Sequence, residues 1–560
     1  MNKVQLKLMF VLLMVMATIF STRGQQGKVY PDIEVVTLFT DRSLYITGEE
    51  VQFSAFIQSE SQLQELSMIL YAEIILPDGK SVSSGKFPIL NQAAYGCLLI
   101  PKDVTTGVYY LRVYTKYMRN CGPEEYSYAA IKIVNPLRKD LITGTDTLEF
   151  AKEFNDAGIA SDQFLIEFNK NIIEPRDVVS ISLKATGISK SNLQGLSISI
   201  VPEASSSVNI VTLPFNNHKV SSLNFYPETR GISITGKLHD NASGKAVSGA
   251  RVNLSIIGKG RDFMAMQTDS AGRYFFSLPA YTGTRDLFLS AKNGSGRNPI
   301  IVVDNDFCKV PVHLPSPVFR LTTEEQAEAH KMALNARLMK IFATDTIPCS
   351  KTAERPNRAF YGKPSATIVI DKYIQLPTLE DYFYELPSFV KVRKRDGEKY
   401  LKVIGSQAEM TFFDPLLLVD WVAISDPAKI LAVPPQNIDR IELVYEPYIK
   451  GDITYGGIVS FVSKKSDFAG IDLPASGIFL NYLFQTDMRI CNISEPDKEN
   501  IPDARNTLFW KPNLMLSSEN SSVVSFTTPD TPGRYAIVLK GITSSGETFM
   551  QTKAFEVAGK

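Results

Sequence analysis

The sequence has few of the residues that most often build metal and redox centres. Only five of its 560 residues are cysteine and only four are histidine. The cysteines contain no Cys-x-x-Cys pair, and no histidine stands at zinc-ligand spacing. We therefore expect no metal site and no cofactor. The formal net charge is zero, and no basic block is interleaved with aromatic residues, so we expect no nucleic acid as a partner.

Long apolar runs are also missing after the N-terminus. Lys3 and Lys7 precede an apolar stretch that runs from Leu8 to Phe20, and small residues then lead to Gly24. This order is typical of a secretory signal peptide, so we predict one over residues 1–24. Because no second run of about 20 apolar residues follows, we expect no transmembrane helix in the mature chain.

Export would place the cysteines where disulfides can form. The candidate pairs are Cys97 with Cys121 and Cys308 with Cys349. The alternative is that these residues are small buried hydrophobic side chains, and the odd number of cysteines leaves at least one thiol outside any bridge within the chain.

Short strands dominate the first half of the sequence. Between Val35 and Asp304, alternating apolar residues rich in Val, Ile, Tyr and Phe are separated by Gly, Pro, Asn and Asp. This spacing predicts a mainly β fold of tandem sandwiches of the immunoglobulin or macroglobulin kind, rather than one sheet.

Two stretches carry recognisable sandwich motifs. The segments 39–53 and 106–115, with a Thr47-Gly48 turn, resemble a macroglobulin-type sandwich of the alpha-2-macroglobulin superfamily. The segments 234–254 and 268–276 resemble a carboxypeptidase regulatory-like sandwich, in which Gly249 and Gly272 are expected at turns. That resemblance implies a spacer or protein-contact module without protease chemistry.

A third motif set lies between residues 414 and 463. The strings Asp414–Ile424, Pro435–Val444 and Tyr455–Ser463 resemble the second half of a TonB-dependent receptor plug, an α+β domain. Trp421 stands where plugs usually carry glycine. The family's barrel has about 22 strands of roughly 10 residues. Only 95 residues (560 minus 465) follow Lys465, so we expect the barrel, and transport by this chain alone, to be absent.

These motifs divide the sequence into seven predicted segments. They are a signal peptide (1–24), a macroglobulin-type sandwich (25–137), a second diverged sandwich (138–230), a carboxypeptidase regulatory-like sandwich (231–306), a helical linker (307–356), a plug-like domain (357–470) and a C-terminal immunoglobulin or macroglobulin-like sandwich (471–560). In the linker, Thr323-Glu-Glu-Gln326 predicts a capped helix to about Phe342. Its buried face is expected to carry Ala327, Leu334, Leu338 and Ile341.

Catalytic motifs are absent from the sequence. The string Cys121-Gly-Pro-Glu-Glu125 lacks the glutamine of a reactive thioester, and no nucleophile elbow, Walker loop or dinucleotide fingerprint occurs. We therefore expect no enzymatic activity.

Together, the resemblances are to exported proteins of the Bacteroidetes type, which implies the periplasm, outer membrane or surface of a Gram-negative cell. The leading hypothesis is a non-enzymatic envelope scaffold whose partners are an outer-membrane barrel or a secretion component. The candidate partner contact comprises Val419, Asp420, Trp421 and Asp426, with Trp421 an anchor if exposed and a core residue if buried. The alternatives are a thioester-free macroglobulin-like protease inhibitor, with a bait segment at 349–363, and an accessory subunit of a TonB-dependent receptor.

Overall fold

A computed structural model describes residues 34–59, 66–144, 159–160, 162–211, 223–258, 261–292, 299–342, 359–386, 389–395, 397–405, 407–486 and 501–559. Across these residues the protein is mainly β, with many small sheets, which confirms the predicted fold class. Among the helices described, none is both long and apolar enough to cross a membrane.

The first sandwich packs the sheet β1-β3-β6 against the sheet β8-β7-β4-β5. Gly48 has a φ of +89°, which fits the turn predicted before β3. Its strands are β1 (Glu34–Thr40), β2 (Leu44–Ile46), β3 (Glu50–Ser59), β4 (Ile69–Ile75), β5 (Ser81–Pro88), β6 (Ala93–Leu99), β7 (Gly107–Thr115) and β8 (Ser127–Val134).

The next segment contributes strands to two different modules. Its last strand pairs with β8 and so extends the first sandwich, whereas the others belong to a sandwich that the C-terminal segment completes. These strands are β9 (Ile159–Ala160), β10 (Phe164–Phe168), β11 (Val178–Ala185), β12 (Leu193–Pro202) and β13 (Ile210–Val211).

The middle sandwich has the sheets β17-β14-β19 and β16-β15-β18. Tyr274 and Phe276 are buried, as their alternation predicts, and Gly249 and Gly272 have positive φ at the expected turns. The core of this module is continuous with that of the first sandwich. Its strands are β14 (Ser233–His239), β15 (Arg251–Ile257), β16 (Asp262–Gln267), β17 (Arg273–Ser277), β18 (Thr284–Lys292) and β19 (Ile300–Val303).

Helix α1 (Thr323–Phe342) follows at the predicted bounds, but its buried face differs from the predicted one. Ala329 and Met332 are buried beside β2, whereas Leu334 and Ile341 are 58% and 74% exposed. The cap is one residue earlier than predicted, because the Thr322 hydroxyl accepts a hydrogen bond from the Glu325 N–H at 3.2 Å. The buried face of α1 is therefore determined by the position at which the helix packs against the first sandwich. The distribution of apolar residues within the helix does not determine it.

An α/β module covers residues 359–474. Its five-stranded sheet has the order β20-β25-β28-β23-β24, with β23 parallel to β28. The elements are β20 (Ala366–Val369), α2 (Leu379–Glu385), β21 (Val390–Arg395), β22 (Glu398–Val403), β23 (Leu416–Val419), β24 (Val422–Ala423), α3 (Pro427–Leu431), β25 (Ile438–Val444), β26 (Tyr448–Lys450), β27 (Ile453–Tyr455) and β28 (Ile458–Ser463).

The C-terminal segment returns to modules begun much earlier in the chain. One strand pairs with β18 and extends the middle sandwich, and the other four join β9 to β12 in one composite sandwich. These strands are β29 (Ile478–Leu483), β30 (Phe509–Lys511), β31 (Ser521–Thr527), β32 (Gly533–Thr543) and β33 (Thr548–Val557).

The pairing of C-terminal strands with strands from much earlier in the chain corrects the predicted domain division. The sequence places 138–230 and 471–560 in separate sandwiches, but β12 pairs with β32 and β11 with β31, and one hydrophobic core lies between the two sheets. Each segment alone has too few strands to cover its apolar faces, so the two segments bury those faces together.

The structure also tests one predicted disulfide. In the structure, Cys97 on β6 and Cys121 after β7 are not bonded to each other. Cys308 is buried. Cys349 lies outside the described residues, so the Cys308–Cys349 pair stays a prediction.

Candidate functional site

The hairpin of β23 and β24 carries three of the four residues predicted to contact a partner. Asp420 and Trp421 form its two-residue turn, with φ of +46° and +70°. The Asp420 carboxylate accepts hydrogen bonds from the Ser463 N–H at 2.8 Å, the Ser463 hydroxyl at 2.6 Å and the Phe468 N–H at 2.9 Å. These bonds tie the turn to the end of β28 and hold both residues in the left-handed region, which residues other than glycine rarely adopt.

The predicted contact surface is mostly interior. Val419 is fully buried, and Asp420 and Trp421 are 3% and 4% exposed. The Arg261 guanidinium lies over the Trp421 ring at 3.7 Å from its centroid, an intramolecular cation–π contact. Asp426 is exposed, but its carboxylate caps α3 by accepting a hydrogen bond from the Ala428 N–H at 2.9 Å. Trp421 is therefore a core residue and not an exposed anchor.

The cause of this burial is that β23 is covered on both faces. Leu417 and Val419 point into the core of the α/β module. Leu416 and Leu418 point the other way and pack with Phe263 of β16. An alternating strand normally presents one face to solvent, but here the second face binds the middle sandwich.

A polar pocket of about 160 Å³ opens along this junction. Its floor is the outer face of β15 and the end of β18, and its walls come from the α/β module. The polar residues that line it are Arg251, Asn253, Lys292, Tyr400, Asp414, Ser425 and Tyr455.

Two cations lie side by side on the pocket floor. Arg251 of β15 is directly opposite Lys292 of β18 in the antiparallel register. Among the described residues, no carboxylate lies within ion-pairing distance of either side chain. Like charges directly opposite each other destabilise a sheet, so this pair favours the arrival of an anion.

Two buried polar atoms in the same pocket have no hydrogen-bond partner within the described part of the chain. They are Oδ1 of Asn253, a residue 5% exposed, and the hydroxyl of Tyr455, a residue 2% exposed. Burial raises the pKa of Tyr455 to about 12, although the nearby Arg251 guanidinium acts to lower it, so the phenol keeps its proton at neutral pH. A buried polar group without a partner destabilises the fold, and a bound ligand could satisfy both atoms.

Sequence reasoning missed this pocket because its signal is tertiary. In β15, Arg251, Asn253 and Ser255 alternate with Val252 and Leu254, which is the ordinary pattern of a half-exposed strand. Only the register that pairs Arg251 with Lys292, and the module that covers both, turn that polar face into a cavity.

Within the described ranges, no cluster of three or more His, Cys, Asp or Glu residues is arranged to hold a metal ion. Glu442, on β25 of the α/β sheet, also forms structural contacts. Glu442 accepts hydrogen bonds from Arg440 Nε at 2.7 Å and from the Tyr361 hydroxyl. These bonds join β25 to Tyr361, and the contacts of Asp420 join the β23–β24 turn to Ser463 and Phe468.

Comparisons with known proteins give no family assignment. No protein-family model and no curated protein matches the sequence. Among solved structures, the chain is similar to the alpha-2-macroglobulin of Salmonella reacted with methylamine, at 10% identity and a TM-score of 0.24 over 94% of this chain and 40% of that one. For Escherichia coli alpha-2-macroglobulin activated by porcine elastase, the identity is 10% and the TM-score 0.24, over 94% of this chain and 44% of that one.

Dimeric latent PorU from Porphyromonas gingivalis is a further neighbour, at 9% identity and a TM-score of 0.16 over 51% of this chain and 34% of that one. The chain thus spans less than half the length of the macroglobulins that it matches. Because all these TM-scores are low, function has to be argued from the chain's own residues.

Proposed function

We propose that the protein is a non-enzymatic binding and assembly scaffold of the bacterial cell envelope, in which the α/β module is a plug-like domain. The observation that carries this proposal is the return of the C-terminal segment. The C-terminal segment completes the composite sandwich and extends the middle sandwich, and so it links these two modules through shared sheets.

Polar contacts between distant segments support a rigid body. The Thr507 hydroxyl donates to the Asp41 carboxylate at 2.8 Å, and Asn506 Nδ2 donates to Glu49 at 2.7 Å. Lys86 Nζ, in the first sandwich, donates to the Leu483 carbonyl of β29 at 2.7 Å. Buried hydrogen bonds of this kind fix the relative positions of the modules, which a protein that presents surfaces to partners requires.

The proposed location of the protein rests on features of its sequence. A predicted signal peptide and the resemblance to exported Bacteroidetes proteins support a periplasmic, outer-membrane or surface position. The proposed partner is an outer-membrane barrel or a secretion component, contacted through the exposed side of the plug-like module. The alternatives remain a thioester-free macroglobulin-like inhibitor and an accessory subunit of a receptor. Residues 349–358 of the proposed bait segment lie outside the described residues.

A mild-detergent pull-down from the native envelope, read by mass spectrometry, tests the scaffold. The tagged chain should recover a barrel or secretion component. Ile374→Glu and Phe412→Glu, at positions 87% and 84% exposed on the α/β module, should reduce that recovery. Met515→Glu, at a position 69% exposed in the composite sandwich, is the matched control and should not.

Two other results would overturn the proposal. Recovery of the protein alone from the soluble fraction would reject a scaffold. A single protease cut within 349–363, with the protease retained, would support the inhibitor instead.

A further inference from the structure

We propose that the pocket between the middle sandwich and the α/β module binds a small organic carboxylate that also carries N–H or O–H donors. The pocket combines the opposed cations Arg251 and Lys292 with two nearly fully buried polar side chains, Asn253 and Tyr455, which lack partners among the described residues. This inference goes beyond the scaffold role and does not depend on it.

The cations select the charge of the ligand. Arg251 is half-buried and Lys292 exposed, so the pair presents positive charge at different depths of one floor. A carboxylate can accept hydrogen bonds from both, and the planar guanidinium suits two carboxylate oxygens. The neutral Tyr455 hydroxyl is a further donor, with the Arg251 guanidinium carbon 5.3 Å from its ring centroid.

The other polar groups select the rest of the ligand. Oδ1 of Asn253 accepts hydrogen bonds and has no donor among the described residues. The exposed Asp414 carboxylate also lines the pocket and would repel a second anionic group while accepting from N–H or O–H. The shared chemistry is therefore a carboxylate beside a hydrogen-bond donor. An acidic monosaccharide and a peptide's C-terminal residue both provide it.

Titration calorimetry on the full mature chain tests this, with D-galacturonate and N-acetyl-L-alanine as probes and their methyl esters as controls. At least one acid should bind and its ester should not. Binding of galacturonate alone would identify a sugar acid, and binding of N-acetylalanine alone a peptide terminus. If neither acid binds at millimolar concentration, or if the esters bind equally well, the proposal fails.

Lys292→Glu is the decisive variant, because it removes the anion site without threatening the fold. It places a carboxylate opposite Arg251, so a cross-strand ion pair replaces the like-charge pair. We expect affinity for the acid to fall by at least about tenfold while the melting temperature stays equal or rises. Unchanged affinity would overturn the proposal.

Two further variants complete the set. Arg251→Gln should weaken binding as strongly as Lys292→Glu. Lys245→Gln removes one charge from an exposed loop of the same sandwich and should leave affinity unchanged. Equal losses for Lys245→Gln and Arg251→Gln would show non-specific attraction to positive charge and reject a built site. Envelope partners should be recovered equally by Lys292→Glu and the native chain, so the scaffold and the pocket can fail separately.

Discussion

At the scale of single residues, Asp420 and Lys540 show how much one buried group contributes. Asp420 accepts three hydrogen bonds in a backbone conformation that disfavours most side chains. Lys540 is buried in the composite sandwich, where its Nζ donates to the Thr40 carbonyl at 2.9 Å. Asp420 stabilises the fold through its hydrogen bonds, whereas burial of the Lys540 ammonium group destabilises the fold.

Asp420→Ala should lower the free energy of unfolding of the α/β module by about 3 kcal/mol, since it removes charge-assisted hydrogen bonds and leaves the Ser463 and Phe468 donors unpaired. Urea denaturation measures the loss. Asp426→Ala is the control, because it removes one exposed helix cap and should cost only about 1 kcal/mol. Equal losses in the two variants would contradict the role of Asp420.

Because Lys540 is buried, we expect the free energy of unfolding to rise with pH. Burial lowers the pKa of Lys540 to about 8, although Asp41 acts to raise it. The unfolded chain therefore binds more protons between about pH 8 and the ordinary value of 10.5, and stability should rise across that window. The full effect is on the order of 3 kcal/mol. It should be measured by urea denaturation at pH 7.5 and pH 10.

Lys540→Met should raise stability at pH 7.5 and flatten this dependence. Lys553→Met is the matched control on the neighbouring strand, where the lysine is exposed and donates to the Ile166 carbonyl. A native-like slope in Lys540→Met would show that another group causes the dependence.

At the scale of elements, helix α1 separates what a sequence pattern determines from what packing determines. Its bounds follow from helix-forming residues and a capping box, which are local. Its buried face does not, because apolar residues occur on more than one side and only the position of the first sandwich selects Ala329 and Met332.

Met332→Ala should therefore destabilise the docking of α1 by about 3 kcal/mol, because it leaves a cavity at a fully buried site. Leu334→Ala, on the face that the sequence favoured, should change stability by less than about 0.5 kcal/mol. Hydrogen exchange of the α1 amides compares the two variants. A larger effect from Leu334→Ala would mean that the helix packs through its other face.

At the scale of the whole molecule, the modules are not consecutive, independent units of the chain. The composite sandwich is built from strands that lie more than 300 residues apart, as the pairing of Ile198 with Leu539 shows. Non-local pairing of this kind has a high loop-closure cost, so folding of the composite sandwich should be slow and should depend on the C-terminal segment.

A chain that ends at residue 474 should accordingly lose the composite sandwich, because β12 then has neither β30 nor β32 beside it. We expect rapid proteolysis between residues 162 and 211, with the first sandwich still protected. Adding a fragment of residues 475–560 should restore protection. Protection of 162–211 without that fragment would support two independent sandwiches, as the sequence alone suggested.

The sequence by itself determined the β class, the turns at Gly48, Gly249 and Gly272, and the helix from Thr323 to Phe342, because each depends on neighbours a few residues away. Tertiary structure alone decided which strands share a sheet, that Trp421 is interior, and that Arg251 meets Lys292 over a pocket. Pairing partners and covering modules are set by contacts between distant segments. The alternation of polar and apolar residues along one strand indicates that one face is polar. It does not indicate whether solvent, a ligand or another module lies against that face.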